Sequence, residues 1–255
     1  MDLGIEGRVA LVLGASKGLG YGSARALADD RARVAVASRS AERAGEAAER
    51  IVSETGSQAR GYAADTADLD SMSGLVEQVA AEFGPVDILV TNTGGPPFGE
   101  PLSFALDDWE AAYRSLVLSP LELIKAAVPG MRERGWGRIV DITSIATKEP
   151  IPGLMLSNSH RLAAVGMFKT LASELARDGV LLNSVAPGRI ATDRIAGSSG
   201  RSIEELERME QPDVPVGRLG RIDEFGNVVA FLCSERASYV CGVNLLVDGG
   251  AARGI

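Results

Sequence analysis

The chain has very few of the residues that metal or thiol chemistry draws on. One histidine, His160, and two cysteines, Cys233 and Cys241, stand among 255 residues. The cysteine spacing fits neither a redox pair nor a metal pair, and both lie among apolar neighbours. They are expected to be buried thiols of a reducing compartment, and no metal site is expected. Aromatic residues make up only 5% of the chain against 45% hydrophobic residues, so the core must rest on Val, Leu, Ile and Ala. Basic charge is also short. The net charge of −8 argues against nucleic acid or an anionic membrane as the main partner. No apolar run is long enough to span a bilayer. Met1–Glu6 carries two acids and no apolar run, unlike a signal peptide, so a cytoplasmic, soluble protein is expected. No Pro/Ser-rich linker or repeat divides the sequence, and residues 1–255 read as one domain.

Glycine is abundant, with 30 residues, and apolar Val/Ile runs alternate with helical patterns from end to end. Strands are expected at Arg8–Gly14, Arg33–Ser38, Ala59–Ala63, Val86–Thr91, Arg138–Thr143, Val180–Ala186 and Val243–Val247. Helices are expected at Leu19–Asp30, Ala41–Thr55, Asp68–Phe83, within Leu106–Arg134, and at Leu156–Arg177 and Asp223–Ser234. Apolar strands alternating with helices indicate an α/β fold, a doubly wound parallel sheet of about seven strands with helices on both faces. Three irregular segments, Gly94–Pro101, Ile145–Met155 and Arg189–Pro215, each follow a strand. They belong at the carboxyl edge of the sheet, where open parallel sheets bind ligands.

Gly14-Ala15-Ser16-Lys17-Gly18-Leu19-Gly20 lies between the first strand and the first helix. Glycines there allow a tight turn and let the backbone approach a pyrophosphate, which the helix N-terminus stabilises. Ala64-Asp65 ends the third strand, Thr91-Asn92-Thr93-Gly94 ends the fourth, Pro187-Gly188 with Thr192 follows the sixth, and Asp248-Gly249-Gly250 closes the last. Taken together, and over essentially the whole chain, these motifs resemble the short-chain dehydrogenase/reductase family, in particular its 3-oxoacyl-carrier-protein reductases. The resemblance implies a dinucleotide held by Gly14, Ser16, Lys17, Gly18, Leu19, Gly20, Ser38, Arg39, Asp65, Thr66, Asn92, Gly94, Pro187, Gly188, Ile190 and Thr192. The coenzyme can be read further from the residues. NAD-binding chains usually place an acid after the second strand, whereas this chain has Ser38-Arg39. The Arg39 guanidinium suits a 2′-phosphate, and Lys17 adds a positive charge, so NADP(H) is the expected cofactor.

The same resemblance implies a carbonyl reduction that uses a Ser, a Tyr, a Lys and an Asn, and here the chain departs from the pattern. Ser144 matches the serine. Ser157 stands where the tyrosine belongs, Arg161 where the lysine belongs and Leu116 where the asparagine belongs, counted from Trp109. A serine hydroxyl is a far weaker acid than a tyrosine, and an arginine does not readily give up a proton. His160 adjoins Arg161 and could act as an acid, but one residue of helix turns it by roughly 100°, so it reads better as a packing residue. Asp141, Lys148 and Glu149 are weaker candidates. Gly94–Phe98 is expected to form a substrate wall, and Phe98, Ile151, Pro152, Leu154 and Met155 suggest an apolar cleft.

Two functional readings follow. One is an NADP(H)-dependent reductase or dehydrogenase with a rebuilt proton route, acting through Ser144, Ser157 and Arg161 on a small carbonyl or alcohol. The other is an inactive NADP(H)-binding protein that works as a sensor or through a partner. The family resemblance also implies a homodimer or homotetramer, paired through Leu106–Arg134 and Leu156–Arg177. The second segment carries Val165, Phe168, Leu171 and Leu175 at helical spacing, a stripe that would otherwise face the sheet.

Overall fold

Strands form where short runs of Val, Ile, Leu and Ala have no polar face. In chain order they are β1 (Val9–Leu13), β2 (Arg33–Ser38), β3 (Ala59–Ala63), β4 (Val86–Thr91), β5 (Gly137–Ile142), β6 (Val180–Pro187) and β7 (Asn244–Val247). Every residue of β1, β4 and β5 is buried, as expected for strands covered on both sides. The computed structural model describes residues 2–254. In it the strands join in one parallel sheet ordered β3-β2-β1-β4-β5-β6-β7. The order reverses between β1 and β4, which opens a crevice at their carboxyl ends.

The helices are α1 (Gly18–Asp29), α2 (Ala41–Thr55), α3 (Leu69–Glu82), α4 (Leu106–Tyr113), α5 (Ser119–Glu133), α6 (Met155–Leu175), α7 (Asp193–Ser199), α8 (Ile203–Arg208) and α9 (Ile222–Leu232). Alternate strand residues point to opposite faces. Ala10, Val12, Val34 and Val36 pack with Leu27 of α1, Ile51 of α2 and Phe225 of α9. Leu11, Leu13, Ala35 and Leu89 pack with Met72 of α3, Leu123 of α5 and Phe168 of α6. Local chemistry sets the helix ends. Ser40 and Asp68 cap α2 and α3 by accepting the amides of Arg43 and Ser71, each at 3.3 Å.

Three expectations need adjustment. The long helix within Leu106–Arg134 is two α-segments joined by a π-helical turn at Arg114–Leu118, where the Ser119 amide reaches back to the Arg114 carbonyl. The proline that follows, Pro120, has no amide hydrogen to give the Leu116 carbonyl. The irregular segment Arg189–Pro215 contains α7 and α8. The signal for α8 was present in Ser202 and Glu205, which form a reciprocal capping box with bonds of 2.8 and 3.1 Å. Of the apolar stripe of α6, Phe168 and Leu175 lie in the core against the sheet, while Val165 and Leu171 are half-buried. None of the described helices is long and apolar enough to cross a membrane.

Glycine contacts set how near helix α1 comes to its neighbours. A Cβ on Gly20 would strike the Gly14 carbonyl, and one on Gly22 would strike the Ile222 carbonyl of α9. One on Gly226 would in turn strike the Gly22 carbonyl. Backbone therefore meets backbone at the α1–α9 crossing. Gly22→Ala or Gly226→Ala should cost about 1–3 kcal/mol through overpacking. Gly45→Ala, on α2, meets nothing within 4 Å and should stabilise by about 0.5–1 kcal/mol. Urea unfolding of the three variants checks the contrast, and equal stabilities would contradict it.

Candidate active site

A cleft of about 1560 Å³ runs along the carboxyl edge of the sheet and is lined by residues following all seven strands. Its first end is a glycine cradle. Gly14 and Gly18 have φ of 59° and 60°, a region that side chains with a Cβ disfavour. Asn92 donates from Nδ2 to the Gly14 carbonyl at 3.3 Å and so ties this turn to the end of β4. Ser16, Lys17 and Leu19 line the cleft beside the glycines. Ser38, Arg39, Asp65, Thr66, Gly94, Pro187, Gly188, Ile190 and Thr192 also line it. Gly20 does not; it backs the turn from behind. The cradle and the length of the cleft suit a dinucleotide, because the two left-handed glycines turn the backbone at the N-terminus of α1, where helix-end amides receive a diphosphate.

The charges around the cradle differ in detail from the sequence expectation. Arg39 is exposed at the rim, and Arg43, in the first turn of α2, lines the same end. Glu42 shares that rim, with no ion pair to either arginine among the described residues. Lys17 points elsewhere: its Nζ lies 3.7 Å from the Asp193 carboxylate across the cleft. Arg43 was not anticipated, although its place three residues after a capping serine, facing the phosphate side, was a usable signal.

At the other end lie Ser144, Ser157 and Arg161, which the structure brings to one wall. The Ser144 hydroxyl oxygen accepts the Ala146 amide at 3.1 Å as it caps the turn Ile145–Thr147. That bond occupies an oxygen lone pair and leaves the hydroxyl proton free to donate. The turn is itself pinned. Thr147 donates to the Ser144 carbonyl at 2.8 Å, and Asn244 of β7 donates to the Thr147 hydroxyl at 2.8 Å. Ser157 is buried, and its hydroxyl has no hydrogen bond to another described residue. One turn along α6, Arg161 is also buried and donates from Nη1 to the Ile142 carbonyl at 2.8 Å.

Beneath Arg161 lies Asp141, buried in β5, which accepts the Thr91 hydroxyl of the adjacent strand at 2.7 Å. Burial pushes its carboxyl up to about 6, opposed by the Thr91 bond and by the Arg161 charge. Burial in turn pulls the Arg161 guanidinium down from its ordinary value. Asp141 resists that change and Arg194 adds to it. An arginine at this position is thus a fixed cation with a carboxylate of its own.

The remaining candidates separate. His160 does not face the cleft; it is buried, its Nδ1 lies 2.8 Å from the Leu156 carbonyl, and its ring packs on Trp109 and Tyr113. Lys148 is exposed outside the cleft. Glu149 accepts the Arg253 amide at 3.1 Å, so that the C-terminal segment forms one wall. Leu116 is buried in the π turn, while Ser115 beside it lines the cleft. Gly94–Phe98 forms a wall as expected, joined by Ile151, Pro152 and Leu154.

A glycine cradle at the switch point of a parallel sheet, with a free serine hydroxyl at the far end of one cleft, defines a nucleotide-linked oxidoreductase site. A family model described as enoyl-(acyl carrier protein) reductase matches residues 14–252. The chain is 34% identical to the 3-oxoacyl-[acyl-carrier-protein] reductase FabG of Aquifex aeolicus over 98% of this chain and 99% of that one. It is also 34% identical to human dehydrogenase/reductase SDR family member 4 over 96% and 88% of the two chains. The structure of L-sorbose reductase from Gluconobacter frateurii, complexed with NADPH and L-sorbose, superposes with a TM-score of 0.91 at 32% identity over all of both chains. A 3-oxoacyl reductase from Agrobacterium tumefaciens with NADP bound gives 0.90 at 30% identity, over 98% and 96% of the two chains. The chain therefore belongs to the short-chain dehydrogenase/reductase family of oxidoreductases.

The raised Asp141 carboxyl has a consequence for stability. Its unfolded value lies near 3.9, below the folded value of about 6. Between the two the folded chain binds more protons, so stability falls as pH rises through that window, by roughly 3 kcal/mol at most. In Asp141→Asn that component of the slope should vanish. Denaturant unfolding at pH 4.5 and pH 7 measures it, and identical slopes in both proteins would show that Asp141 does not titrate there.

Proposed function

We propose that this chain is an NADP(H)-dependent oxidoreductase, carbonyl or 3-oxoacyl reductase-like, whose proton route does not use a tyrosine. The observation that carries the reading is Ser144: a pinned hydroxyl, with its proton uncommitted, in the same cleft as the glycine cradle. Gly14, Ser16, Lys17, Gly18 and Leu19, backed by Gly20, would hold the diphosphate, Asp65 and Thr66 the adenine side, and Asn92, Gly94, Pro187, Gly188, Ile190 and Thr192 the nicotinamide side. Arg39, with Arg43 beside it, would hold the 2′-phosphate, and Lys17 adds positive field while paired with Asp193. When bound, NADP(H) supplies or accepts the hydride. Ser144 donates a hydrogen bond to the carbonyl oxygen and orients it. Arg161, fixed by Ile142 and backed by Asp141, stabilises the negative charge that develops on that oxygen. Ser157 positions a water, from which the oxygen takes its proton.

A second reading keeps the cofactor and drops the chemistry, as an NADP(H)-binding sensor or partner protein. It draws on Arg161, whose guanidinium is committed to the Ile142 carbonyl, and on the short Ser157. Both readings place a single-domain protein in the cytoplasm.

One set of measurements separates them. NADPH should bind more tightly than NADH by roughly ten- to a hundredfold, the range of a charge-assisted contact, and Arg39→Ala should remove most of that preference. NADPH oxidation against a carbonyl panel should fall by about 10²–10³ in Ser144→Ala and much less in Ser157→Ala. Tight NADPH binding with no hydride transfer in either direction supports the sensor. Equal affinity for both cofactors removes the NADP(H) assignment.

We also propose a closed homodimer or homotetramer. The support lies on the outer face, where Leu162 of α6 and Tyr113 of α4 are 50% and 45% exposed and Val165 and Leu171 are half-buried. Light scattering at micromolar concentration should give twice or four times the chain mass, and a strict monomer refutes the assembly.

A further inference from the structure

Most of the charges at the substrate end of the cleft are already engaged. Arg189 lies 4.0 Å from Asp213, Asp193 pairs with Lys17 at 3.7 Å, and Asp108 accepts the Ala105 amide at 2.9 Å. Glu149 holds the Arg253 amide, and Arg161 is fixed by Ile142 and backed by Asp141. Two guanidiniums at this end are uncommitted among the described residues, those of Arg253 and of Arg194 in α7, and Arg194 is the one that lies against the opposite wall. Arg194 lines the cleft, and its guanidinium forms no hydrogen bond or ion pair with another described residue. Its guanidinium lies against Gly95 of the opposite wall, in the space that a side chain at position 95 would occupy, because a Cβ there would fall on Nη1. The contact depends on this residue being glycine. Arg194 is also near enough to Arg161 for the two charges to oppose one another. These two guanidiniums thus face one region of the cleft, and Asp141, the carboxylate that offsets Arg161, is buried behind it and does not line the cleft. The walls around them are apolar, formed by Pro96, Pro97, Phe98, Ile151, Pro152 and Leu154.

An uncommitted guanidinium facing a mostly apolar cavity fits a planar anion that can take two parallel N–H bonds. We propose that the substrate is a carbonyl compound bearing a carboxylate, with the carboxylate received by Arg194 while Ser144 holds the carbonyl. This rests on the reductase reading above and adds the substrate class to it. A neutral ketone would leave the positive charge unanswered.

The test is calorimetry on the full chain saturated with NADP+, titrated with 4-oxopentanoate and 2-oxopentanoate and with their methyl esters. Each acid has the shape of its ester and differs in charge. At least one acid should bind about tenfold more tightly than its ester, as a charge-assisted pair gives. Arg194→Gln should abolish the difference and leave NADPH affinity within about twofold. Gly95→Ala, which displaces the guanidinium without removing its charge, should weaken the acid and spare the ester. Two results overturn the proposal while the reductase reading stands: equal affinity for acid and ester in the unaltered protein, or a loss of NADPH affinity in Arg194→Gln with the acid preference intact. The second would assign Arg194 to the cofactor diphosphate. Failure of NADPH to bind the unaltered chain removes both readings together.

Discussion

How near α1 can come to its neighbours governs most of what lies above the sheet. Gly20 rests on the Gly14 carbonyl, and Gly22 and Gly226 bring the α1 and α9 backbones into contact. Because no side chain intervenes, the N-terminus of α1 sits low over the end of β1 and its amides open into the cleft. Asn92 then stitches the turn to β4. The depth of the cleft, the path of the first loop and the position of the second half of the sheet relative to the first all follow from that approach.

The fold was legible because its strands are unambiguous. Val9–Leu13 or Val86–Thr91 has no polar face to suggest any other arrangement, and the glycine loop sits between a strand and a helix where its meaning is clear. The π turn at Arg114–Leu118 was not legible. It arises inside a segment whose periodicity is simply helical, and one amide reaching back five residues leaves no compositional trace. The short helices α7 and α8 were hidden for another reason, since their few turns lie in a glycine- and serine-containing stretch whose only marker was the Ser202–Glu205 box.

Within the site, the residues that follow each strand could be placed on one edge from sequence, because topology alone puts them there. What they touch could not. Lys17 was read beside Arg39 but reaches Asp193 across the cleft, and Arg194 drew no notice because its meaning depends on a glycine a hundred residues earlier. Asp141 looked like a local strand residue, and its relation to Arg161 exists only after α6 has folded over β5. Side-chain pairing across elements is a tertiary property, and a single sequence records it only as two unremarkable letters.

Asp141 and Arg161 also bear on descent. Each is buried, and each is the nearest opposite charge the other has. Exchanging either one alone for a neutral residue strands a buried charge, a change that commonly costs several kcal/mol. A lineage that acquired this pair is therefore entrenched. Neighbouring sequences can drift at the exposed rim one residue at a time, but neutral residues can enter these two positions only together.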